Sequence, residues 1–138
     1  MNLTVHTGFF GQCSLQDIFD TICYHLLRQG KQSQIDKSCA YVHPNGDKCA
    51  AGCLIQDRNY SIDFEGQVWN RVAESFNSSE PYDSLIRALQ FAHDHESLAT
   101  ATPDEFRQAM EVKFVYLCAH YGLKRHVLYQ NGAIVLCF

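Results

Sequence analysis

Apolar residues recur at helical spacing in four stretches of this chain, and two of these stretches carry clear end signals. The first begins at Ser14, a predicted N-cap, and stops before Gly30, a predicted C-cap. The last begins at Thr102, which caps the helix ahead of a proline, and Glu105 completes a capping box. Gly122 ends it. These signals predict helices over residues 14–29 and 102–121.

The two middle stretches have weaker boundaries. One predicts a helix over residues 63–76, with Asp63 as its cap. The next predicts a helix that begins with Asp83 as its cap. Between the first helix and the cysteine-rich part of the chain, the polar residues 31–37 predict a loop. The apolar stripes of the two middle helices are Phe64, Val68, Val72 and Phe76 in one, and Leu85, Ile86, Leu89 and Ala92 in the other.

Two turn signals predict the strands. Residues 127–136 hold two β-prone runs about an Asn-Gly pair, which is a strong signal for a hairpin. Pro44-Asn45-Gly46 predicts a second tight turn, and residues 2–10 predict a short strand. We therefore expect an α+β fold, mainly helical, with four main helices and one or two short β-hairpins. Nothing marks a boundary, so residues 1–138 are expected to form a single globular domain.

The charge balance argues against nucleic acid as the partner. The chain is 46% apolar and 19% charged, with a net charge of −4, which fits a globular protein. Its densest basic spot is Lys124-Arg125-His126. A surface that binds nucleic acid usually shows a basic patch or stripe. We therefore expect no nucleic-acid partner.

The N-terminus and the cysteines bear on where the protein works. Residues 1–10 lack the charged leader and apolar run of a secretory signal, and no stretch approaches the ~18 apolar residues of a membrane helix. We expect a cytoplasmic protein with no membrane partner. Seven cysteines in a reducing compartment indicate thiols rather than disulfides. Their roles stay open among packing, metal ligation and catalysis, with packing as the default.

Three of the cysteines surround the predicted Pro-Asn-Gly turn. A tight turn folds its flanks together, so Cys39 and Cys49 are expected to lie close across a short hairpin. Cys53 lies one helical turn beyond Cys49. We expect the segment 39–55 to form a hairpin packed on a short helix, with Cys49 and Cys53 buried and reduced.

This segment allows two kinds of chemistry. Zinc prefers four thiolate or imidazole ligands in a tetrahedron, but the spacing here differs from the common Cys-x2-Cys knuckle, so we expect no bound metal and no cofactor. Alternatively, a helix N-terminus would lower the pKa of Cys49 or Cys53 and yield a nucleophile. The candidate zinc ligands are Cys39, His43, Cys49 and Cys53, and the candidate bases are His25, His43, His93, His95 and His120.

Two further polar clusters have ordinary structural explanations. His93-Asp94-His95 looks like a ligand cluster, but side chains at i and i+2 on a helix diverge. His93 borders the apolar face, and it is the base named with Cys49 and Cys53 in the catalytic alternative. A small acidic group after the cysteine segment is expected to form solvated caps rather than a metal site: Asp57, Asp63 and Glu65.

The cysteine segment also carries a family resemblance. Cys39-Ala40-Tyr41, Gly46 and Lys48-Cys49-Ala50-Ala51-Gly52-Cys53-Leu54-Ile55 resemble the shared motif of small proteins of unknown function from tailed phages, prophages and bacteria. The similarity spans residues 14–95 and is specific at the cysteine segment. That family carries Arg where this chain has His43. Because Arg does not ligate zinc, the difference weakens the metal set. The resemblance implies an origin rather than an activity.

These features favour binding over catalysis. We expect a small phage-type accessory protein of the bacterial host cytoplasm that binds a host protein or sequesters a small ligand. The alternative is a cysteine-dependent or metal-assisted hydrolase centred on Cys39, Cys49 and Cys53. Loops on a rigid scaffold commonly carry function, and Tyr and Arg are enriched where partners bind strongly. The candidate binding surface is the hairpin end and the loop after it: Tyr41, His43, Asn45, Arg58 and Tyr60.

Overall fold

The computed structural model describes residues 13–35, 38–76, 78 and 80–138 of the chain. The fold is α+β and mainly helical, as the sequence predicts. The described residues form four α-helices and two small antiparallel sheets of two strands each. The strand expected over residues 2–10 lies outside the described residues. The elements are α1 Leu15–Gln29, β1 Gln34–Ile35, β2 Ser38–Cys39, α2 Trp69–Ala73, α3 Tyr82–His93, α4 Pro103–Tyr121, β3 Val127–Gln130 and β4 Ala133–Leu136.

The two helices with clear end signals form as predicted. Ser14 caps α1 through a capping box, and Gly30 closes the helix with a φ of 72°. At the start of α4, the amide of Glu105 donates to the Thr102 hydroxyl over 3.2 Å, and the Glu105 carboxylate accepts from the Thr102 amide over 2.8 Å. Gly122 ends α4 in the left-handed conformation. These caps satisfy backbone groups that a bare helix end leaves without partners.

The three long helices enclose the core, and the C-terminal hairpin closes one side of it. Phe19 of α1 meets Phe114 of α4 edge to face, with ring centroids 6.1 Å apart. The hairpin of β3 and β4 contacts α1 and buries Val127. Asn131 and Gly132 both have positive φ, which is the geometry of a two-residue turn between twisted strands. The predicted C-terminal hairpin is therefore confirmed.

The helix predicted over residues 63–76 is wrong as a single element. A short 3-10 turn over Ile62–Phe64 precedes Gly66, whose φ is 82°, and α2 then spans only Trp69–Ala73. Val68 is the N-cap of α2 and is 69% exposed, so it is not a core residue. The left-handed glycine breaks the helix, since an uninterrupted α-helix requires negative φ throughout.

Two smaller expectations also need correction. Asp83 is not the cap of α3, because the helix already begins at Tyr82 with Pro81 as its N-cap. The Asp83 carboxylate instead accepts from the Ser78 hydroxyl over 2.6 Å. Part of the predicted loop over residues 31–37 is extended, since β1 pairs with β2. The four predicted inward residues of α3 are all buried: Leu85, Ile86, Leu89 and Ala92.

The cysteine segment forms a hairpin-like turn packed on a short helix, as predicted. One antiparallel pair, Val42 with Lys48, closes the turn. The following helix is a single 3-10 turn over Gly52–Leu54 that contacts α1. Cys49 is fully buried, whereas Cys53 is only partly buried. None of the described helices is long and apolar enough to cross a membrane.

Gly52 is the position at which this segment tolerates no side chain. A Cβ added there would lie 1.9 Å from the backbone carbonyl oxygen of Tyr41. We predict that Gly52→Ala destabilises the protein by about 3 kcal/mol in urea unfolding, because the hairpin has to move away from the short helix. Gly46→Ala is the control, since nothing lies within 4 Å of its Cβ position and only its positive φ costs about 1 kcal/mol. Equal losses in the two variants would contradict the steric explanation.

Candidate functional site

A groove with a volume of about 610 Å³ opens along one face of α3. Arg87, Gln90, Phe91 and Asp94 line it, and their spacing of i, i+3, i+4 and i+7 places them on the same side of the helix. The opposite wall comes from β2 and from the chain that leads into α2. Its members are Ser38, Cys39, Tyr41, Gly66, Gln67, Val68, Trp69 and Asn70.

The groove has buried aromatic side chains inside, and its exposed lining includes both apolar and polar side chains. Tyr41 and Trp69 are each only 3% exposed, whereas Val68 and Phe91 are 69% and 75% exposed. The Tyr41 hydroxyl donates to the backbone carbonyl of Gln67 over 2.6 Å, so its ring is fixed. Exposed apolar side chains beside buried aromatic ones are typical of ligand grooves.

The side-chain amide of Gln90 joins the two walls. Its Nε2 donates to the Cys39 sulfur over 2.6 Å and to Asp94 Oδ2 over 2.9 Å. Its Oε1 accepts the backbone amide of Ala51 over 3.0 Å. One residue of α3 therefore holds β2, the short helix and the end of α3 in a fixed arrangement.

His93 orients the carboxylate of Asp94 and is not placed to act as a base. It is fully buried, and its Nε2 accepts the backbone amide of Ser33 over 3.1 Å. Because Nε2 accepts, the ring proton lies on Nδ1, which donates to Asp94 Oδ1 over 2.6 Å. Both ring nitrogens are thus engaged within the protein. His93 does not fill the role that the catalytic alternative assigns to it.

The clustered cysteines are close together but poorly suited to nucleophilic chemistry. The pKa of the Cys39 thiol is raised, chiefly by a hydrogen bond with the Cys49 thiol and secondly by burial. Burial also raises the pKa of Cys53, whose thiol donates to the backbone carbonyl of Ala50 over 3.1 Å. Cys49 accepts the backbone amide of Gly52 over 3.3 Å. A thiol with a raised pKa holds its proton at neutral pH and is a weak nucleophile.

The proposed zinc ligands do not meet. His43 Nδ1 accepts the backbone amide of Asn45 over 3.0 Å, so the ring is engaged within the turn itself. Among the described residues, no group of three or more His, Cys, Asp or Glu is arranged to hold a metal ion. Cys39 lies against Gln90 of α3, while Cys53 belongs to the short helix that contacts α1.

The residues expected to form a binding surface have different environments. Asn45 and Arg58 are exposed, as expected. His43 is partly buried in the turn, and Tyr60 is partly buried against Glu65. Tyr41 is buried and faces the groove, so it is not part of an exposed loop surface. Of the five residues, Tyr41 is the one that the structure places in the groove.

Glu65 is a structural residue that the sequence does not reveal. Its carboxylate accepts the backbone amide of Tyr41 over 2.9 Å and that of Val42 over 3.1 Å. It also accepts the Tyr60 hydroxyl over 2.5 Å, and burial together with this bond raises the pKa of Tyr60 to about 12. The expectation of a solvated carboxylate is therefore wrong for Glu65, although the side chain of Asp57 is 95% exposed.

Sequence reasoning missed most of the groove. Trp69 lies within residues 63–76, which the sequence predicts as one helix, so the sequence does not indicate its place in the groove. Phe91 carried the clearest signal, because a large aromatic side chain lies outside the apolar stripe of α3. Arg87 and Asp94 flank it at helical spacing, which marks the same face.

The raised thiol pKa values predict a loss of stability at alkaline pH. Below the ordinary thiol pKa of about 8.5, the folded and unfolded chains both hold these protons. Above it, the unfolded chain releases protons that the folded chain keeps, so the free energy of unfolding falls as pH rises. We expect urea unfolding to show a smaller loss between pH 7.5 and 9.5 for Cys53→Ala than for the parent, by about 1 kcal/mol. Cys137→Ala, at an exposed thiol, is expected to keep the parental loss, and identical behaviour of the two variants would contradict the prediction.

Removing the acceptor at Glu65 should loosen the turn. Gln in its place presents an NH₂ donor where the carboxylate accepted three hydrogen bonds, so one donor loses its partner. We expect Glu65→Gln to lower the free energy of unfolding by about 1–3 kcal/mol, measured by urea unfolding. Asp63→Asn is the matched control because Asp63 is exposed, and it is expected to change stability by less than about 0.5 kcal/mol. An equal loss of unfolding free energy in Asp63→Asn would contradict the conclusion that Glu65 stabilises the turn through its hydrogen bonds.

No protein-family model matches this chain, and no curated protein or solved structure shows significant similarity to it. The function is therefore inferred from the chemistry of the groove.

Proposed function

We propose that this protein binds a small organic ligand with an apolar body in the groove along α3. The observation that supports this most is the groove itself. Its volume of about 610 Å³ falls within the ~300–1,000 Å³ of typical small-molecule sites. Another cavity, lined by residues that include Met110 and Lys113, measures about 260 Å³ and falls below that range.

The lining of the groove supports small-molecule binding in two ways. Its walls combine three aromatic rings and Val68 with polar side chains that can orient a ligand. Its polar groups are also held in place before any ligand arrives, since Gln90, Tyr41 and Asp94 bond to other parts of the fold. A preorganised site loses little conformational entropy on binding.

Binding is a better proposal than hydrolysis. The hydrolase alternative requires an activated cysteine and a free base. Burial and hydrogen bonding instead raise the pKa of Cys39 and of Cys53. The nearby imidazole of His93 has both nitrogens engaged. Without a thiolate and a base, the site has no evident way to start nucleophilic catalysis.

The proposal includes the phage-type origin and the bacterial cytoplasm that the resemblance implies. The residues that carry the resemblance also contribute to the groove. Cys39 and Tyr41 line it, and Ala51 bonds to Gln90 on its far wall. Because Gly52 has no Cβ, the short helix can lie close to the backbone of Tyr41. A small protein that sequesters a ligand fits an accessory role in an infected cell.

The proposal can be tested with a neutral, apolar fluorescent probe, N-phenyl-1-naphthylamine. We expect the probe to bind and to shift the backbone amide NMR signals of residues along the groove. Phe91→Ala removes an exposed wall of the groove and should weaken probe binding about tenfold, because a ring contact contributes roughly 1–2 kcal/mol. Tyr116→Ala is the matched control, since Tyr116 is an exposed aromatic residue of α4 outside the groove.

Two results would overturn the proposal. One is a probe that shifts signals elsewhere and leaves the groove unchanged. The other is equal weakening by Phe91→Ala and Tyr116→Ala, which would indicate nonspecific contact with exposed aromatic side chains. Both variants should keep the parental melting temperature, because both side chains are largely exposed.

A further inference from the structure

Asp94 presents a carboxylate to the groove without a cationic side chain to balance it. Its side chain is 29% exposed and lines the groove. Its one ion-pair partner among the described residues is His93. That imidazole donates from Nδ1 and accepts at Nε2, which is the pattern of the neutral ring. The carboxylate charge at this end of the groove is therefore not neutralised.

The carboxylate also has acceptor capacity left. An ionised carboxylate offers about four lone-pair sites. His93 Nδ1 occupies one on Oδ1, and Gln90 Nε2 occupies one on Oδ2. The Cys39 thiol also bonds to this carboxylate. These three bonds fix the orientation of the group, and the lone-pair site that they leave is available to a donor in the groove. A fixed anion with a free acceptor site favours a ligand that carries a charged N–H donor.

The cation at the other end of the groove is already compensated. Arg87 lies seven residues before Asp94, about 10 Å away along the helix axis. Its guanidinium bonds to the Glu80 carboxylate over 3.2 Å and to Asn70 Oδ1 over 3.1 Å. The Arg87 charge is therefore paired with Glu80, while the charge at the Asp94 end of the groove is negative.

The aromatic walls favour the same kind of ligand. The faces of aromatic rings attract cations, and sites for organic ammonium ions commonly combine several rings with a carboxylate. Tyr41, Trp69 and Phe91 supply three rings to this groove. Burial is the largest cause that raises the pKa of Tyr41, so its hydroxyl stays protonated beside the groove.

We infer that the ligand of the groove is an organic ammonium ion, whose charged nitrogen bonds to Asp94 and whose apolar body lies against Phe91, Trp69 and Tyr41. This inference rests on the proposed function, because it names the chemical class of the ligand for the same groove.

Three probes of nearly the same shape test the inference: benzylammonium, benzyl alcohol and benzoate. Their binding to the full chain is measured by NMR titration at pH 7, with the shifted amide signals locating each probe. We expect benzylammonium to bind about tenfold more tightly than benzyl alcohol, and benzoate to bind most weakly. Asp94→Asn should remove the preference for the cation, whereas Asp57→Asn, at a carboxylate outside the groove, should keep it.

The order of affinities in the parent protein decides the inference even if Asp94→Asn fails to fold. Equal binding of the three probes, or tighter binding of benzoate, would overturn the ammonium assignment and leave the proposed groove in place. A cation preference that persists in folded Asp94→Asn would also overturn it. If neither these probes nor N-phenyl-1-naphthylamine shifts the groove signals, the proposed function itself is wrong.

Discussion

The side-chain amide of Gln90 is the contact on which the rest of the site depends. It bonds at once to the Ala51 backbone, the Cys39 sulfur and the Asp94 carboxylate. These three partners belong to different parts of the chain, and among the described residues no backbone hydrogen-bond ladder connects all of them. Loss of the amide would leave a backbone N–H and a partly buried carboxylate short of partners, which costs roughly 1–3 kcal/mol for each group. The Gln90 side chain therefore connects parts of the chain that a sheet connects in other folds.

This arrangement explains why the cysteine segment is rich in small residues. The short helix approaches the turn so closely that position 52 has no room for a Cβ. Cys49 and Ala50 are fully buried beside it, and small side chains suit such a junction because larger ones would force the backbones apart. The thiols add weak hydrogen bonds to neighbouring backbone groups. Packing and these hydrogen bonds together describe the environment of Cys49 and Cys53.

The same contacts shape the groove and set its charge. The bonds from His93 and Gln90 hold the Asp94 carboxylate in one orientation, while Glu65 holds the turn that carries Tyr41. Hydrogen bonds thus fix the walls, both from behind and between them through Gln90 with Cys39 and Arg87 with Asn70. One carboxylate and several aromatic rings line the same space. The network that stabilises the site is therefore also the one on which the proposed ligand preference rests.

The sequence by itself determined the elements whose signals are local. Capping boxes, left-handed glycines and the Asn131-Gly132 turn lie within a few residues of the structure they specify, so α1, α4 and the C-terminal hairpin were predictable. The tertiary structure decided the rest. Glu65 leaves the expected helix to bind the amide of Tyr41, 24 residues earlier, and no local propensity encodes such a contact. Tyr41 is buried and Phe91 exposed for the same reason: the groove exists only where one face of α3 meets β2 and the start of α2, which are distant in sequence.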